Sequence, residues 1–439
     1  MQRLIFGSRF LFAALLAGLV TVTFDGTASA ESPAEFYKGK TVTMWIAFDG
    51  GGFRASAKLV GTYLGKYIPG RPKVVFKYMP GDRGIKAATF LFNKAPRDGT
   101  AIGMVGQHAL FYPIQSKKHL NYNPPEFNYI GTLNTHGDTF LFVSDTSGIK
   151  NLKDLQTKEL VVSNGRGGYV DFVAAINNIL GTKVIYVGTY VDHKDAFLAM
   201  ERGETQGIGG AGVMSVARHR SWFPNLLSDK KARPILRYTY DTPIEGFPDV
   251  ILAGQAADTE LKRQALRIVF ARQVVDRPFV APPGIPSDRL KALQDAFMKT
   301  LKDPRLMLHA KQRNTRTDNP LTGPETKAFI KGSYALPQDA KDLVKKALNN
   351  QSFVRPVPYL KFTASFEKME RKGRSRMLKF TDSKGKTIAA AFNRRRTIVT
   401  IGGKKLKGRR AIKALEAGMN CEVSWTGKGT YVAFMTCSS

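Results

Sequence analysis

Cysteine is nearly absent from this chain of 439 residues, with only Cys421 and Cys437, both in the last 19 positions. An even, clustered pair reads as one disulfide, and the lack of any nearby histidine argues against a metal site there. Paired in this way, neither sulfur is available as a nucleophile for Cys–His chemistry. Everything before residue 421 must be held by its apolar core, for which 43% hydrophobic residues are ample. Long hydrophobic runs are also missing. The longest, Phe10 to Val22, has 13 residues, short of the roughly 20 that a membrane helix needs. The motifs of hydrolytic and metal enzymes are missing too: there is no G-x-S-x-G elbow, no H-E-x-x-H and no histidine pair at metal spacing. Carboxylate pairs exist, but nothing gathers them into one pocket. No catalytic residue, metal or cofactor is expected, and no internal repeat is evident.

Acidic residues are scarce, with 35 Asp/Glu against 67 Lys/Arg and a formal charge of +32. The excess is uneven. Residues 351–439 hold 20 Lys/Arg and 5 Asp/Glu, a net of +15. Such a charge in a cytoplasmic chain would suggest nucleic acid, but the N-terminus points elsewhere. Met1-Gln2-Arg3 and Arg9 precede the apolar run, and Ala28-Ser29-Ala30 closes it. A basic start, a short apolar core and an A-x-A end describe a secretory signal peptide over residues 1–30, cleaved near Ala30. The mature chain is expected in the periplasm. Nucleic acid is then excluded as a partner, and anionic lipid, an acidic protein or an anionic solute remain for the basic charge.

Residues 31–352 alternate short apolar runs with helical periodicity, the mark of an α/β fold with parallel-rich sheets. Thr41 to Phe48 reads as a buried strand, Asp49-Gly50-Gly51-Gly52 as a turn and Arg54 to Tyr67 as a helix. The strand Val74 to Tyr78, the helix Ile85 to Asn93 and the strand Thr100 to Val105 follow. A second such unit runs through Phe140–Val143, Leu160–Val162, the glycine turn of residues 163–168, the helix Tyr169 to Leu180, the strand Val184–Val187 and the helix Lys194 to Arg202. Amphipathic helices near 257–274, 287–301 and 323–332 are placed to pack back on the first lobe. Two prolines mark residues 353–358 as an extended linker. Residues 359–439 read as a small basic β-rich module closed by Cys421–Cys437. Its strands are expected at Leu360–Phe366, Met377–Phe380, Thr387–Phe392, Thr397–Ile401, Cys421–Trp425 and Tyr431–Met435, with a short helix from Ala411 to Ala417.

Several motifs stand in a fixed order. Phe36-Tyr37-Lys38-Gly39-Lys40 precedes the first strand and its glycine turn. Tyr67-Ile68-Pro69-Gly70, Tyr78-Met79-Pro80-Gly81 and Lys94-Ala95-Pro96-Arg97-Asp98-Gly99-Thr100 follow, and later Gly181 to Gly210 and Ala281-Pro282-Pro283-Gly284-Ile285-Pro286. Over about residues 33–345 the chain resembles the periplasmic solute-binding receptors of tripartite tricarboxylate transporters. The resemblance implies a two-lobed flytrap fold, with lobe 1 at about 33–135 and 250–350 and lobe 2 at about 136–249. It implies a small di- or tricarboxylate or related organic acid as ligand, delivery to integral-membrane transporter subunits, and no catalysis. Carried over residue by residue, the first turn of the family falls on Phe48, Asp49, Gly50, Gly51, Gly52 and Phe53. The strand-end polar pair falls on Gln107 and His108, and the second-lobe turn on Ser163, Asn164, Gly165 and Gly168. The basic module is not part of the resemblance.

The residues themselves support such a site. Glycine turns at helix N-termini present backbone N–H groups and the positive end of a helix dipole, which suits a carboxylate. Equally, such glycines are what tight turns require. Residues 165–168 lack the spacing of a dinucleotide fingerprint. Arg54 and Arg166 are either carboxylate contacts or solvated charges, and His108 and His136 either ligand donors or structural residues. The chain departs from the family at Asp49, Phe53-Arg54 and Asp82-Arg83. These changes bring charge to the cleft edge and admit a partly cationic, amino-acid-like ligand. They also sustain a second reading, a non-transport ligand sensor or scaffold whose module at 359–439 docks to anionic lipid or an acidic partner.

Overall fold

The computed structural model describes residues 31–116, 120–135, 139–164, 169–188, 190, 193–212, 232–239, 250–313, 315–357, 359–372, 375–394, 397–425, 427 and 431–438. After a short capped helix α1 (Pro33–Tyr37), strand β1 (Thr41–Ile46) buries Val42, Met44 and Ile46 on alternate positions. It pairs in parallel with β2 (Lys73–Tyr78) and β3 (Ala101–Met104), through the crossovers α2 (Gly51–Tyr67) and α3 (Ile85–Asn93). The expected parallel order is extended by antiparallel pairing. β11 (Phe279–Ala281) returns from far along the chain to lie between β3 and β4 (Asn128–Gly131), giving the order β2-β1-β3-β11-β4. Helix α2 starts at Gly51, not at Arg54. Gly50 is its extended cap, and Gly51 and Gly52 form its first turn, with Gly51 at φ +70°.

The second sheet contains β5 (Thr139–Ser144), β6 (Leu160–Ser163), β7 (Val184–Val187), β8 (Gly207–Gly212), β9 (Ala232–Arg237), β10 (Ile251–Leu252) and β12 (Val354–Arg355). Their order is β10-β9-β5-β8-β6-β7-β12. β8 reads Gly-Ile-Gly-Gly-Ala-Gly, a composition depleted in strands, and the sequence pattern assigns it no element. Here its smallness is used: a Cβ on Gly207 would lie 2.3 Å from the Phe142 carbonyl. β12 adds a parallel edge strand next to β7. The helices α4 (Gln107–Gln115), α5 (Leu152–Thr157), α6 (Val170–Leu180) and α7 (His193–Glu201) flank these sheets.

The later helices divide their packing. α9 (Ser287–Leu301) lies on α2 and β4, α10 (Pro304–Gln312) on α2, and α11 (Gly323–Ala335) on β4. α8 (Glu260–Phe270) and α12 (Gln338–Asn349) instead pack against each other and against both α4 and α6. One apolar cluster therefore runs between the lobes and includes Phe111, Phe172, Phe270 and Val344. α10 and α12 were not legible in sequence. α12 buries only Ala340, Val344 and Ala347 among exposed acids and exposed or half-buried lysines.

The C-terminal part forms a third sheet from β13 (Leu360–Lys372), β14 (Ser375–Thr381), β15 (Thr387–Phe392), β16 (Ile398–Ile401), β17 (Lys404–Leu406), β18 (Asn420–Trp425) and β19 (Val432–Ser438), with the helix α13 (Gly408–Ala414). The order is β15-β14-β13-β18-β19-β16-β17, and the bridge Ala391–Tyr431 joins the β15 edge back towards β19. Phe366, Leu378, Phe380, Val399 and Met435 are buried within it. Each such side chain contributes about 1.5–3 kcal/mol by leaving water. Cys421 and Cys437 face each other across β18 and β19 and are joined as a disulfide. β17 was not expected from sequence, and β13 runs six residues beyond the expected Phe366.

Candidate functional site

The C-terminal end of β1 delivers Phe48, whose ring lies 4.5 Å from that of Phe53 in the first turn of α2. No side chain caps α2, so its leading N–H groups have no side-chain acceptor. Asp49 and Arg54 are exposed, and Arg54 Nη1 donates to the Asp49 carbonyl at 2.9 Å. The same guanidinium lies 4.8 Å from the Tyr78 ring. A second arginine reaches the same turn from the segment before β11. Arg277 lies 5.3 Å from the Phe53 ring, a Cβ on Gly52 would meet its Nη2 at 3.3 Å, and Asp276 is its ion-pair partner. A cation at a helix N-terminus opposes the dipole, so an anion at this turn would be favoured by both the helix and the arginine.

The end of β3 leads to a second uncapped helix, α4, which opens with Gln107 and His108 after Gly106. Gln107 Oε1 and His108 Nδ1 are buried and have no hydrogen-bond partner among the described residues. The approach is tight. A Cβ on Gly106 would stand 2.6 Å from the Arg83 carbonyl and 2.9 Å from Phe48 Cζ. The first turn, the α4 start and the 3-10 turn Asp82–Gly84 thus meet at one place. Burial, reinforced by the charges of Arg83 and Arg272, pushes the His108 imidazole down to about 3, with Asp171 opposing. His108 is therefore neutral at physiological pH.

The second lobe arrives through α6, which also lacks a side-chain cap. Asp171 in its first turn pairs with Arg272 Nη1 at 3.3 Å and with Arg83 Nη1 at 3.6 Å. Arg272, on the segment that crosses back from the second sheet, is only 11% exposed and lies 3.9 Å from the Phe172 ring. Its burial lowers its affinity for the proton, an effect that the Asp171 carboxylate opposes. One carboxylate thus sits between guanidiniums from the first lobe and the crossing segment.

The structure brings Phe48, Gly52, Phe53, Gln107 and His108 together, with Asp49, Gly50, Gly51 and Arg54 on the adjoining exposed rim. It places Ser163 and Asn164 at the end of β6, both buried. Ser163 Oγ is turned into the lobe, against the Ala196 carbonyl and Thr205 Oγ1. Both polar atoms of the Asn164 side chain lack a hydrogen-bond partner among the described residues. No hydrogen bond or ion pair joins Ser163 or Asn164 to the first group among those residues. Gly165, Arg166, Gly168 and His136 lie outside the described residues. Sequence reasoning missed Asp171, Arg272 and Arg277. The first opens an ordinary helix, and the two arginines stand in a segment with no motif. Arg83 was noted only as a departure, and its charge is what linked it to the cleft.

Among solved structures, the chain is similar to a TctC solute binding protein from Polaromonas, determined without ligand. The two share 16% identity over 71% of this chain and 99% of that one, with a TM-score of 0.52. The chain has the solute-binding-protein fold. Weaker likenesses are to MatC from Rhodopseudomonas palustris with bound malate (16% identity, 70% and 99% covered, TM-score 0.45) and to another protein of that organism with adipate (14% identity, 72% and 98% covered, TM-score 0.44). No family model and no curated protein matches the chain. The Polaromonas structure is almost entirely accounted for by about seven tenths of this chain. In a solute-binding-protein fold the ends of β1, β3 and β6 and the starts of α2, α4 and α6 lie where ligands bind in α/β sheets, beyond the carboxyl ends of the strands.

Proposed function

We propose that the chain is an exported solute receptor that binds a small organic acid between its lobes and presents it to an integral-membrane transporter. The observation that carries this reading is Asp171 held by Arg83 and Arg272. These guanidiniums already hold a carboxylate, one of the protein's own, which supports their holding a ligand's. A ligand carboxylate reaching the same guanidiniums, or Arg277 and the N–H groups of α2, would meet charge-assisted donors, of which Arg272 is fixed by burial. Phe48, Asp49, Gly50, Gly51, Gly52, Phe53, Arg54, Gln107, His108, Ser163, Asn164, Gly165, Arg166 and Gly168 remain the site residues of this reading, with Arg83, Arg272 and Arg277 added. A dicarboxylate could engage both lobes and so couple binding to closure. No covalent step is involved.

The same ion pairs favour a second reading. A cleft occupied by its own carboxylate suits a sensor or scaffold that has given up transport. Thermal unfolding with a panel of carboxylates, amino acids and neutral solutes separates the two. A ligand at about 100 times its dissociation constant adds roughly 2.7 kcal/mol. A shift with one carboxylate class, lost on Arg272→Ala in protein that still folds, supports the receptor. No shift with any solute from well-folded protein rejects it.

A further inference from the structure

We propose that the hairpin–helix end of the C-terminal sheet is a docking surface for the anionic headgroups of a lipid bilayer. β16 and β17 form a hairpin around Gly402 and Gly403, both at positive φ, and α13 follows directly. Along this stretch Lys404, Lys405, Lys407, Arg409, Arg410 and Lys413 are all exposed. Arg394 joins them from the preceding loop, because a Cβ on Gly408 would stand 3.3 Å from its carbonyl. The end of the sheet therefore carries six exposed cations along residues 404–413, with Arg394 as a seventh beside them.

None of the seven has an ion-pair partner among the described residues. Elsewhere in the module charge is at least partly answered. Glu370 lies 2.9 Å from both Lys368 and Lys379, Glu367 accepts from Thr381, and Asp382 is used by the backbone N–H groups of Lys384 and Lys386. Beside the patch only Glu416 offers a carboxylate in sequence. The repulsion among the seven is thus left standing, and an external polyanion would relieve it.

The surroundings choose among polyanions. A specific protein interface is centred on aromatic or aliphatic anchors. The large apolar side chains exposed among the described residues, such as Leu360, Phe434, Met307 and Leu308, lie outside this stretch. Phe434 is paired with Ile398, at the end of β16 away from the lysine turn. What remains is a dense, anchor-free display of cations, the kind of surface that associates with anionic headgroups without insertion. This proposal does not depend on the solute-receptor reading.

The test is co-sedimentation of the chain from residue 31 onward with phosphatidylcholine vesicles, with and without phosphatidylglycerol, at low and high salt. Binding should require phosphatidylglycerol and fall with ionic strength. Each Lys or Arg near such a surface contributes about five-fold in partition. The pair Lys404→Gln and Lys405→Gln should lower binding about 25-fold. Adding Arg409→Gln and Arg410→Gln should bring the loss to at least about 100-fold. Removing four exposed lysines elsewhere, by Lys38→Gln, Lys94→Gln, Lys302→Gln and Lys311→Gln, should change it only a few-fold. Equal loss in that control would assign the effect to overall charge and overturn the proposal. So would wild-type binding by the patch variants, or indifference to phosphatidylglycerol in a protein that binds duplex DNA or heparin.

Discussion

Replacing Asp171 with asparagine removes the charge held by Arg83 and Arg272 and leaves the side chain's shape. The gross attraction between Asp171 and Arg272 at 3.3 Å is about 5 kcal/mol at an effective dielectric constant near 20. Desolvation has already offset part of it. Arg272 and Asp171 are 11% and 17% exposed, so the pair is largely, though not wholly, buried. Breaking a fully buried pair costs about 3–5 kcal/mol, since the surviving charge is left uncompensated. Arg83 adds little, being 58% exposed. The expected loss for Asp171→Asn is therefore about 2–3 kcal/mol, read as a lower urea midpoint at unchanged slope. Ligand affinity should move the other way. Without the resident carboxylate, an organic acid no longer competes with Asp171 for the two guanidiniums, and its affinity should rise about ten-fold. Isothermal titration and urea unfolding on the same preparation measure both. Weaker or unchanged carboxylate binding by the folded variant would refute the idea that ligand and Asp171 share these arginines.

Three further outcomes follow from local geometry. His108, depressed in the fold to about 3, stays neutral in the native state while the unfolded chain takes up a proton below about pH 6.5. Its contribution to stability is thus fully present above about pH 6.5 and lost as pH falls toward 3, at up to about 1.4 kcal/mol per unit. His108→Gln should flatten that part of a stability-versus-pH curve. Gly106→Ala places a methyl 2.6 Å from the Arg83 carbonyl. Because backbone must shift, a stability loss of about 1–3 kcal/mol and a loss of ligand-induced stabilisation are expected. Reducing Cys421–Cys437 releases a short loop, and the melting of the C-terminal module should fall by about 2–4 kcal/mol equivalent, followed by Trp425 fluorescence.

What the sequence made legible was set by periodicity and turn chemistry. α3 and α9 lie where their apolar spacing and flanking turns put them, and β7 is a short apolar run between turn residues. Where burial uses small or mixed side chains the pattern fades. α12 packs through two alanines and a valine, and β8 is mostly glycine, with the Phe142 carbonyl crowding Gly207 and the Tyr169 side chain crowding Gly210. β11 has three residues, and its place between β3 and β4 depends on a contact that no local pattern encodes. The candidate site divides in the same way. Phe48, Gly52, Gln107 and His108 could be named because the resemblance carries its turn and strand-end positions onto them, where turn glycines stand beside them in sequence. Arg272 lies 101 residues from Asp171, and Arg277 more than twice as far from Gly52, and each pair meets only after folding.

Arg83 links these two halves, and the backbone beneath it shows what its position costs. Gly81, Asp82, Arg83 and Gly84 all have positive φ, with Asp82 at +44° and Arg83 at +54°. An L-residue in the left-handed region is disfavoured by about 1–2 kcal/mol, and such strain persists where the surroundings impose it. Here the Arg83 carbonyl is packed against Gly106 while its guanidinium reaches Asp171. Two substitutions separate strain from charge. Arg83→Ala and Arg83→Gly both lose the ion pair, but only glycine is at ease at +54°. At an ordinary position alanine is the more stable by about 0.5–1 kcal/mol, through the entropy of the unfolded chain. At Arg83 the order should reverse, with glycine ahead by about 0.5–1 kcal/mol in urea unfolding. If alanine proves the more stable, the turn carries no strain and Arg83 is held by its charge alone. If glycine is ahead and both variants bind carboxylate more weakly than wild type, the strained turn serves to aim a guanidinium into the cleft.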